Sequence, residues 1–406
     1  MRTPVWPGFA RRAGLDRRGA VRQYRRLVRV GERTPVLPDG LIPFALESLR
    51  GMQLPSGLFC EEVASGSDAL RGVSLRYTAM VYLGLWKADA AGYGHGFDLD
   101  RIQSALLERV GAVELRPGDL GLYLWADARA GWGRRAELIY RLEQALEHAG
   151  GLRKLEGMEL AWIVEGLLPD GTAAEPEGQG LLQEALALLL QDNVAPSGLL
   201  YHHGAPGYRR RFPNFATEIY GVLALSGAAK RGVGKEALAA ACRTADVLLQ
   251  LQLSDGAWPW LYDAERGQVV ERYEIYSVHQ HAMAPMGLLE LEEATGDERY
   301  ADAARHGLHW IEGKNELGVV MADPAARMIY RSIRRRRPLD RTLLYANTAA
   351  ARVAGRTLTS SSGIVELNAV CRPYELGWLL EAWCGREAAL RPTGQPDLAG
   401  GGSNQP

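Results

Sequence analysis

The chain has little of what would mark a membrane, secreted or metal-dependent protein. It has only four cysteines in 406 residues, Cys60, Cys242, Cys371 and Cys384, and no two form a CxxC pair. Scattered single thiols without metal-ligand spacing read as free side chains of a reducing cytoplasm. No run approaches the 18 apolar residues that a membrane-crossing helix needs, so none is expected. The formal net charge is −1, which leaves no overall field to draw nucleic acid or a membrane surface, and neither is an expected partner. No HExxH helix and no glycine-rich phosphate loop occurs, and no cofactor or metal is expected. His202-His203 and His279-x-His281 lack the spacing that puts two ligands on one helix face.

What is present is a recurrence. Glycine follows an apolar helical run at Leu54-Pro55-Ser56-Gly57, Ala195-Pro196-Ser197-Gly198 and Leu253-Ser254-Asp255-Gly256, with weaker copies near Gly111, Gly151 and Gly318. A period of roughly 40 to 60 residues is the size of one supersecondary unit. At each glycine a left-handed helix C-cap is expected. Between the glycines, apolar spacing predicts helices of two alternating kinds. One kind has a polar stripe: 41–52, 99–110, 134–149, 179–191, 235–251 and 298–312. The other is apolar on most sides: 73–90, 119–130, 157–167, 215–228, 273–294 and 374–384. Met158, Leu160, Ala161, Trp162, Ile163 and Val164, for example, leave almost no polar face. Six of each kind in strict alternation predict an all-α (α/α)6 toroid, with six inner helices wrapped by six outer ones. The final segment, with Leu376, Trp378, Leu379, Leu380 and Trp383, is too apolar to cap an open array, so first and last helices are expected to pair. The toroid is expected over 41–386. An arginine-rich leader (1–40), solvated or docking an anionic partner, would precede it, and a disordered tail (387–406) would follow.

The stretch Gln250-Leu251-Gln252-Leu253-Ser254-Asp255-Gly256-Ala257-Trp258-Pro259-Trp260 resembles the Gln…Gly-x-Trp repeat of terpenoid-cyclase and prenyltransferase toroids. It is also similar to the Gln-x-x-Asp-Gly-x-Trp stretches of six-hairpin glycosidases and related sugar enzymes. The resemblance implies the α/α toroid and, for the sugar enzymes, an active cleft on the face of the long links. Here those links are 56–72, 197–214, 255–272 and 315–373, all leading from an outer to an inner helix. Long loops on a rigid scaffold collect binding residues.

That face carries acids near the starts of inner helices: Asp119, Glu159, Glu218, Glu274 and Glu375. Each single acid fits a helix N-terminus. Together they would repel and separate their pKa values, which is the equipment for glycosidic cleavage. The expected catalytic set is Glu274 or Glu375 as acid, Glu218 or Asp263 as carboxylate partner, and Tyr276 and His279 for protons or hydroxyl orientation. Trp258, Trp260, Tyr273, Gln280, His281, His202 and Tyr374 are expected to bind a sugar. Tyr273, Tyr276 and Gln280 would share one helix face. Arg331, Arg334 and Arg372, in runs that include 334–337, would fork onto an anionic group such as a uronate or phosphate. The expected partner is therefore a glycan, and the leading activity is glycoside hydrolysis. A lyase or uronyl epimerase using Tyr or His, or a toroid that binds a glycan or protein without turnover, are the alternatives. Terpenoid-like cyclisation ranks below them, because the Asp-x-Asp-Asp starter acid is missing.

Overall fold

The computed structural model describes residues 40–67, 69–110, 112–169, 178–336, 339–355 and 365–390, with the side chains of 339–343 left out. The arginine-rich leader, Gly111, Arg337 and residues 391–406 lie outside the described residues. The outer helices are α1 (Leu41–Arg50), α3 (Leu99–Val110), α5 (Arg135–Ala149), α7 (Gln179–Ala187), α9 (Ala237–Leu251) and α11 (Arg299–Ile311). Between them run the inner helices α2 (Leu75–Ala90), α4 (Pro117–Ala130), α6 (Gly157–Leu167), α8 (Phe215–Lys230), α10 (Ala284–Thr295) and α13 (Pro373–Trp383). In α8 every residue from Phe215 to Ala228 is buried, whereas α3 buries only Ile102, Leu106 and Val110. That contrast is the difference between a helix enclosed by neighbours and one with a single apolar stripe.

The inner helices pack in chain order, and α13 packs back on α2 while α1 packs on α13, so the ring closes on itself. Closure depends on backbones meeting directly. A Cβ on Gly377 of α13 would lie 2.7 Å from Val81 Cα of α2, and one on Gly121 of α4 would lie 2.7 Å from Ile163 N of α6. Real side-chain carbons do not approach that closely, so only glycine fits.

Two sequence expectations change. The glycine copy near Gly151 does cap a helix, with Gly150 left-handed at the end of α5 (φ 83°), but the three clearest copies do not. Gly57, Gly198 and Gly256 each close a tight turn beyond the helix end, with N–H donated to the carbonyl of Leu54, Ala195 and Leu253. Their φ values of 91°, 98° and 86° still favour glycine. Second, the helix expected over 273–294 begins at a π-turn, His279–Met283, and runs on as α10. Pro285 has no N–H for the carbonyl of His281, and the Trp383 indole donates to that oxygen instead (2.7 Å). Tyr273 and Tyr276 therefore share no helix face with Gln280.

The long links hold structure of their own. Strands β1 (Val63–Ala64), β2 (Leu261–Asp263), β3 (Gln268–Glu271), β4 (Ile275–Tyr276), β5 (Ala322–Asp323), β6 (Met328–Ile329), β7 (Ser332–Arg335), β8 (Val365–Asn368) and β9 (Val370–Cys371) form small antiparallel sheets. A thirteenth helix, α12 (Leu339–Ala354), packs on β3, where Ala351 joins Phe212, Leu261 and Val270. Residues Glu387–Leu390, placed in the tail by the sequence pattern, form a 3-10 turn with Leu390 buried.

Candidate active site

Three strands build one wall of the site. Register pairs Tyr276 of β4 with Ser332 of β7, and Ser332 with Asn368 of β8, so three polar side chains stand in a row across the sheet. Glu274, just before β4, folds onto that row. Its carboxylate accepts from Tyr276 Oη (3.1 Å), Ser332 Oγ and Asn368 Nδ2 (3.2 Å). The Arg331 guanidinium lies over the Tyr276 ring (4.9 Å) and pairs with Glu375. Glu375 is fully buried at the first turn of α13, where it also accepts from the Arg372 backbone N–H. Burial pushes its carboxyl up to about 7, against the pull of Arg331 and Arg372. Tyr374 packs on Tyr77 (4.6 Å), whose hydroxyl accepts from Arg372 (2.8 Å).

Aromatic rings extend this wall. Trp260 lies 5.2 Å from Tyr276, as does His279, and the Trp260 and His279 rings are parallel at 6.1 Å. Burial first, then Arg331 and His281, lowers His279 to about 3, so its ring is neutral near pH 7. Burial also raises the Tyr276 hydroxyl above its ordinary value. Glu274, Tyr276, His279, Trp260, Arg331, Arg372, Tyr374 and Glu375 thus form one connected set.

The other expected site residues are engaged in other contacts, although Gln280 donates to the Tyr276 carbonyl behind the wall (3.0 Å). Glu218 is fully buried and its carboxylate accepts from Leu200 N–H (2.8 Å), in the turn that Gly198 closes. Thr78 accepts from Phe59 N–H (2.9 Å) after Gly57, and Gln280 from Trp258 N–H (3.1 Å) after Gly256. At these three repeats one polar side chain ties the inner segment to the preceding turn, and Thr78, Glu218 and Gln280 do the same work. Burial raises Glu218 well above the ordinary carboxyl value, so it holds its proton. Such a group stabilises below its unfolded value and loses that contribution as pH rises toward the folded one. Glu218→Gln supplies the same acceptor with no charge. Its melting temperature at pH 8 is expected to equal or exceed that of the parent, and a drop of several degrees would show that the acid does something glutamine cannot.

Asp263 is fully buried and gripped by Arg211 (2.7 Å at Nε) in the β2–β3 turn. Trp258 is fully buried against Phe215 (5.3 Å). Tyr273 points away from Glu274 and donates to Glu316 (3.0 Å), with Arg335 over its ring. Arg334 is matched by Glu366 (3.0 Å). His281 is fully buried, with neither ring nitrogen hydrogen-bonded. His202 sits at another part of the ring, 3.2 Å from Thr217 Oγ1 and 3.6 Å from Glu156. The His202 ring beside it, before the charges of Arg209 and Arg116, holds the Glu156 carboxyl down to about 2.

Sequence reading missed Glu156, Tyr77, Ser332, Asn368 and Arg76. Arg76, in the first turn of α2, pairs with Asp119 of α4 and lies 3.8 Å from Glu159 of α6, which Arg116 reaches at 2.8 Å. The signal for Arg76 and Tyr77 was their place at an inner helix start. For Ser332 and Asn368 no local signal exists, because only strand register brings them to Glu274. Among the described residues no cluster of His, Cys, Asp and Glu is suited to a metal ion, and no helix is long and apolar enough to cross a membrane.

No family model and no curated protein matches the chain. Solved structures do. A D-mannose isomerase superposes with a TM-score of 0.58 at 12% identity, covering 84% of this chain and 96% of that one. An unsaturated glucuronyl hydrolase specific for heparin gives 0.55 at 14% identity, covering 87% and 96%. The cellobiose 2-epimerase of Bacillus thermoamylovorans gives 0.55 at 10% identity, covering 91% and 100%. The chain shares with these sugar-acting enzymes the α/α toroid fold. They span hydrolysis, epimerisation and isomerisation, so the likeness fixes architecture and leaves the reaction open.

Proposed function

We propose that the protein is a carbohydrate-active enzyme that hydrolyses a glycosidic bond next to an anionic sugar, with Glu375 as general acid and Glu274 as its carboxylate partner. The observation that carries this reading is the contrast between the two acids. Glu375 is fully buried and pushed up to about 7, while Glu274 is half-buried and takes three donors. A carboxyl that keeps its proton near neutrality can give it to a leaving oxygen. With Glu375 protonated, the Arg331 charge is no longer neutralised by its partner. A uronate or phosphate on the substrate would then take up that charge, with Arg372 beside it. Trp260, Tyr276 and Tyr374 supply flat faces for the sugar ring.

Epimerisation or elimination is the second reading, and the same groups suit it less. Tyr276 would have to lose a proton that burial holds on, and His279, lowered to about 3, is a weak base. The test is depletion of uronate-bearing and neutral oligosaccharides, followed both for reducing ends and for an absorbing unsaturated product. Hydrolysis predicts new reducing ends without absorbance. An absorbing product, or inversion of a sugar carbon with no bond cleaved, overturns it. Because Glu375 must be protonated to act, the alkaline limb of kcat/KM is expected to begin at about pH 7 and to fall about tenfold per unit above it. An alkaline limb that begins well away from 7 would remove Glu375 from the acid role.

A further inference from the structure

The wall around the ring is uneven. The links into α2, α8, the π-turn before α10 and α13 occupy 51–74, 193–214, 252–278 and 312–372, whereas those into α4 and α6 occupy only 111–116 and 150–156. Because α4 and α6 are neighbours in the ring, the rim is low along one continuous arc. Glu274 and Glu375 stand on the opposite, high arc. To a chain longer than one sugar, held with its reacting bond at those acids, the low side offers the shortest wall.

The low rim has a mixed and closely matched charge set. Arg116, with a side chain 59% exposed, reaches Glu159, which is 3% exposed. Although Arg116 Nη2 is 2.8 Å from Glu159 Oε1, that oxygen has no aligned hydrogen bond. Arg76 pairs with Asp119 behind them. Glu156, one-third exposed, brings a third carboxylate to the same arc. Arg116, Arg76 and Arg209, which acts on Glu156, balance three carboxylates, so donors and acceptors lie side by side with no surplus of positive charge. Sugar hydroxyls, which both donate and accept, fit that pattern. A second anionic unit would meet no net positive charge there.

We propose that Arg116, Glu159, Asp119 and Glu156 form a subsite for a neutral saccharide unit adjacent to the anionic one, so that the substrate is an oligosaccharide and not a free monosaccharide. This rests on the sugar reading above. Arg116 is the specificity-determining residue that can be removed with least cost to the fold, being the most exposed member. The full-length Glu274→Gln protein, which is not expected to consume its ligand, is titrated calorimetrically with three probes. These are glucuronic acid, a disaccharide of glucuronic acid and glucose, and a disaccharide of two uronates.

The mixed disaccharide is expected to bind about tenfold more tightly than glucuronic acid, the worth of one charge-assisted contact. Arg116→Ala erases that gain and leaves the monosaccharide affinity unchanged, while Arg116→Lys restores part of it. Glu159→Gln, if it folds, reduces the gain as well. The subsite is overturned if Arg116→Ala keeps the gain, if it weakens all three probes equally, or if the uronate disaccharide binds as well as the mixed one. Should the protein bind none of the three, the sugar reading fails and the subsite fails with it.

Discussion

Glu274→Gln is expected to lower turnover by about 10²- to 10⁴-fold without unfolding the protein. The pocket around this side chain is built to hold its shape. Ser332 and Asn368 donate to one oxygen and Tyr276 to the other. A glutamine carbonyl still accepts from Ser332 and Asn368, and its amide can donate to the Tyr276 oxygen once that hydroxyl turns. What is lost is the negative charge, which the reaction needs and the fold does not. The expected signature is a fall in kcat with KM and melting temperature close to the parent values. Equal loss in a Ser332→Ala variant would instead mark the row as purely structural. Full activity in Glu274→Gln would take Glu274 out of the mechanism.

Gly377→Val is expected to cost about 3 kcal/mol or more of stability, enough to deplete the folded protein in cells. Gly377 is where the last inner helix meets the first. An added Cβ would lie 2.7 Å from Val81 Cα and 2.9 Å from Met80 O, and both are backbone atoms with no rotamer to change. Gly84 faces Gly377 from the other helix, so relief requires α2 and α13 to separate. In a closed ring that shift is transmitted to every neighbour. Gly180→Ala is the contrasting case. Gly180 lies in the outer helix α7 with nothing within 4 Å of an added Cβ. There the substitution should stabilise by about 0.5–1 kcal/mol through helix propensity alone. Thermal or denaturant unfolding of the two variants checks both signs, and similar behaviour in both would mean that backbone contact does not hold the ring shut.

The helices were legible because burial writes itself into periodicity. An inner helix enclosed by neighbours, such as Phe215 to Ala228, cannot carry a polar stripe, and an outer one such as Leu99–Val110 must. Ring closure was legible for the same reason, from the apolar faces of the terminal segments. The strands were not, because they are two to four residues long and depend on partners far along the chain. Tyr276 reads as helical from the residues beside it and becomes a strand only because Ser332 arrives from another link. Helix α12 did leave a signal in Leu343, Leu344, Ala350 and Ala351, which a uniform reading of 315–373 as loop passed over.

Acidity was legible, but direction was not. Glu218 and Glu375 both start inner helices. One turns outward to hold the Gly198 turn, and the other meets Arg331 beside the Tyr276 ring. Comparing the repeats with one another separates them, since Thr78 and Gln280 occupy the positions that Glu218 occupies and neither can act as a general acid.

The most direct test is a crystal structure of Glu274→Gln soaked with a uronate-bearing disaccharide. The sugar is expected between residue 274 and Glu375, with its carboxylate on Arg331 and its ring against Trp260 or Tyr276. A sugar bound on another face, or one whose linking oxygen lies out of hydrogen-bonding reach of Glu375, would contradict the assignment of these two acids to the reaction.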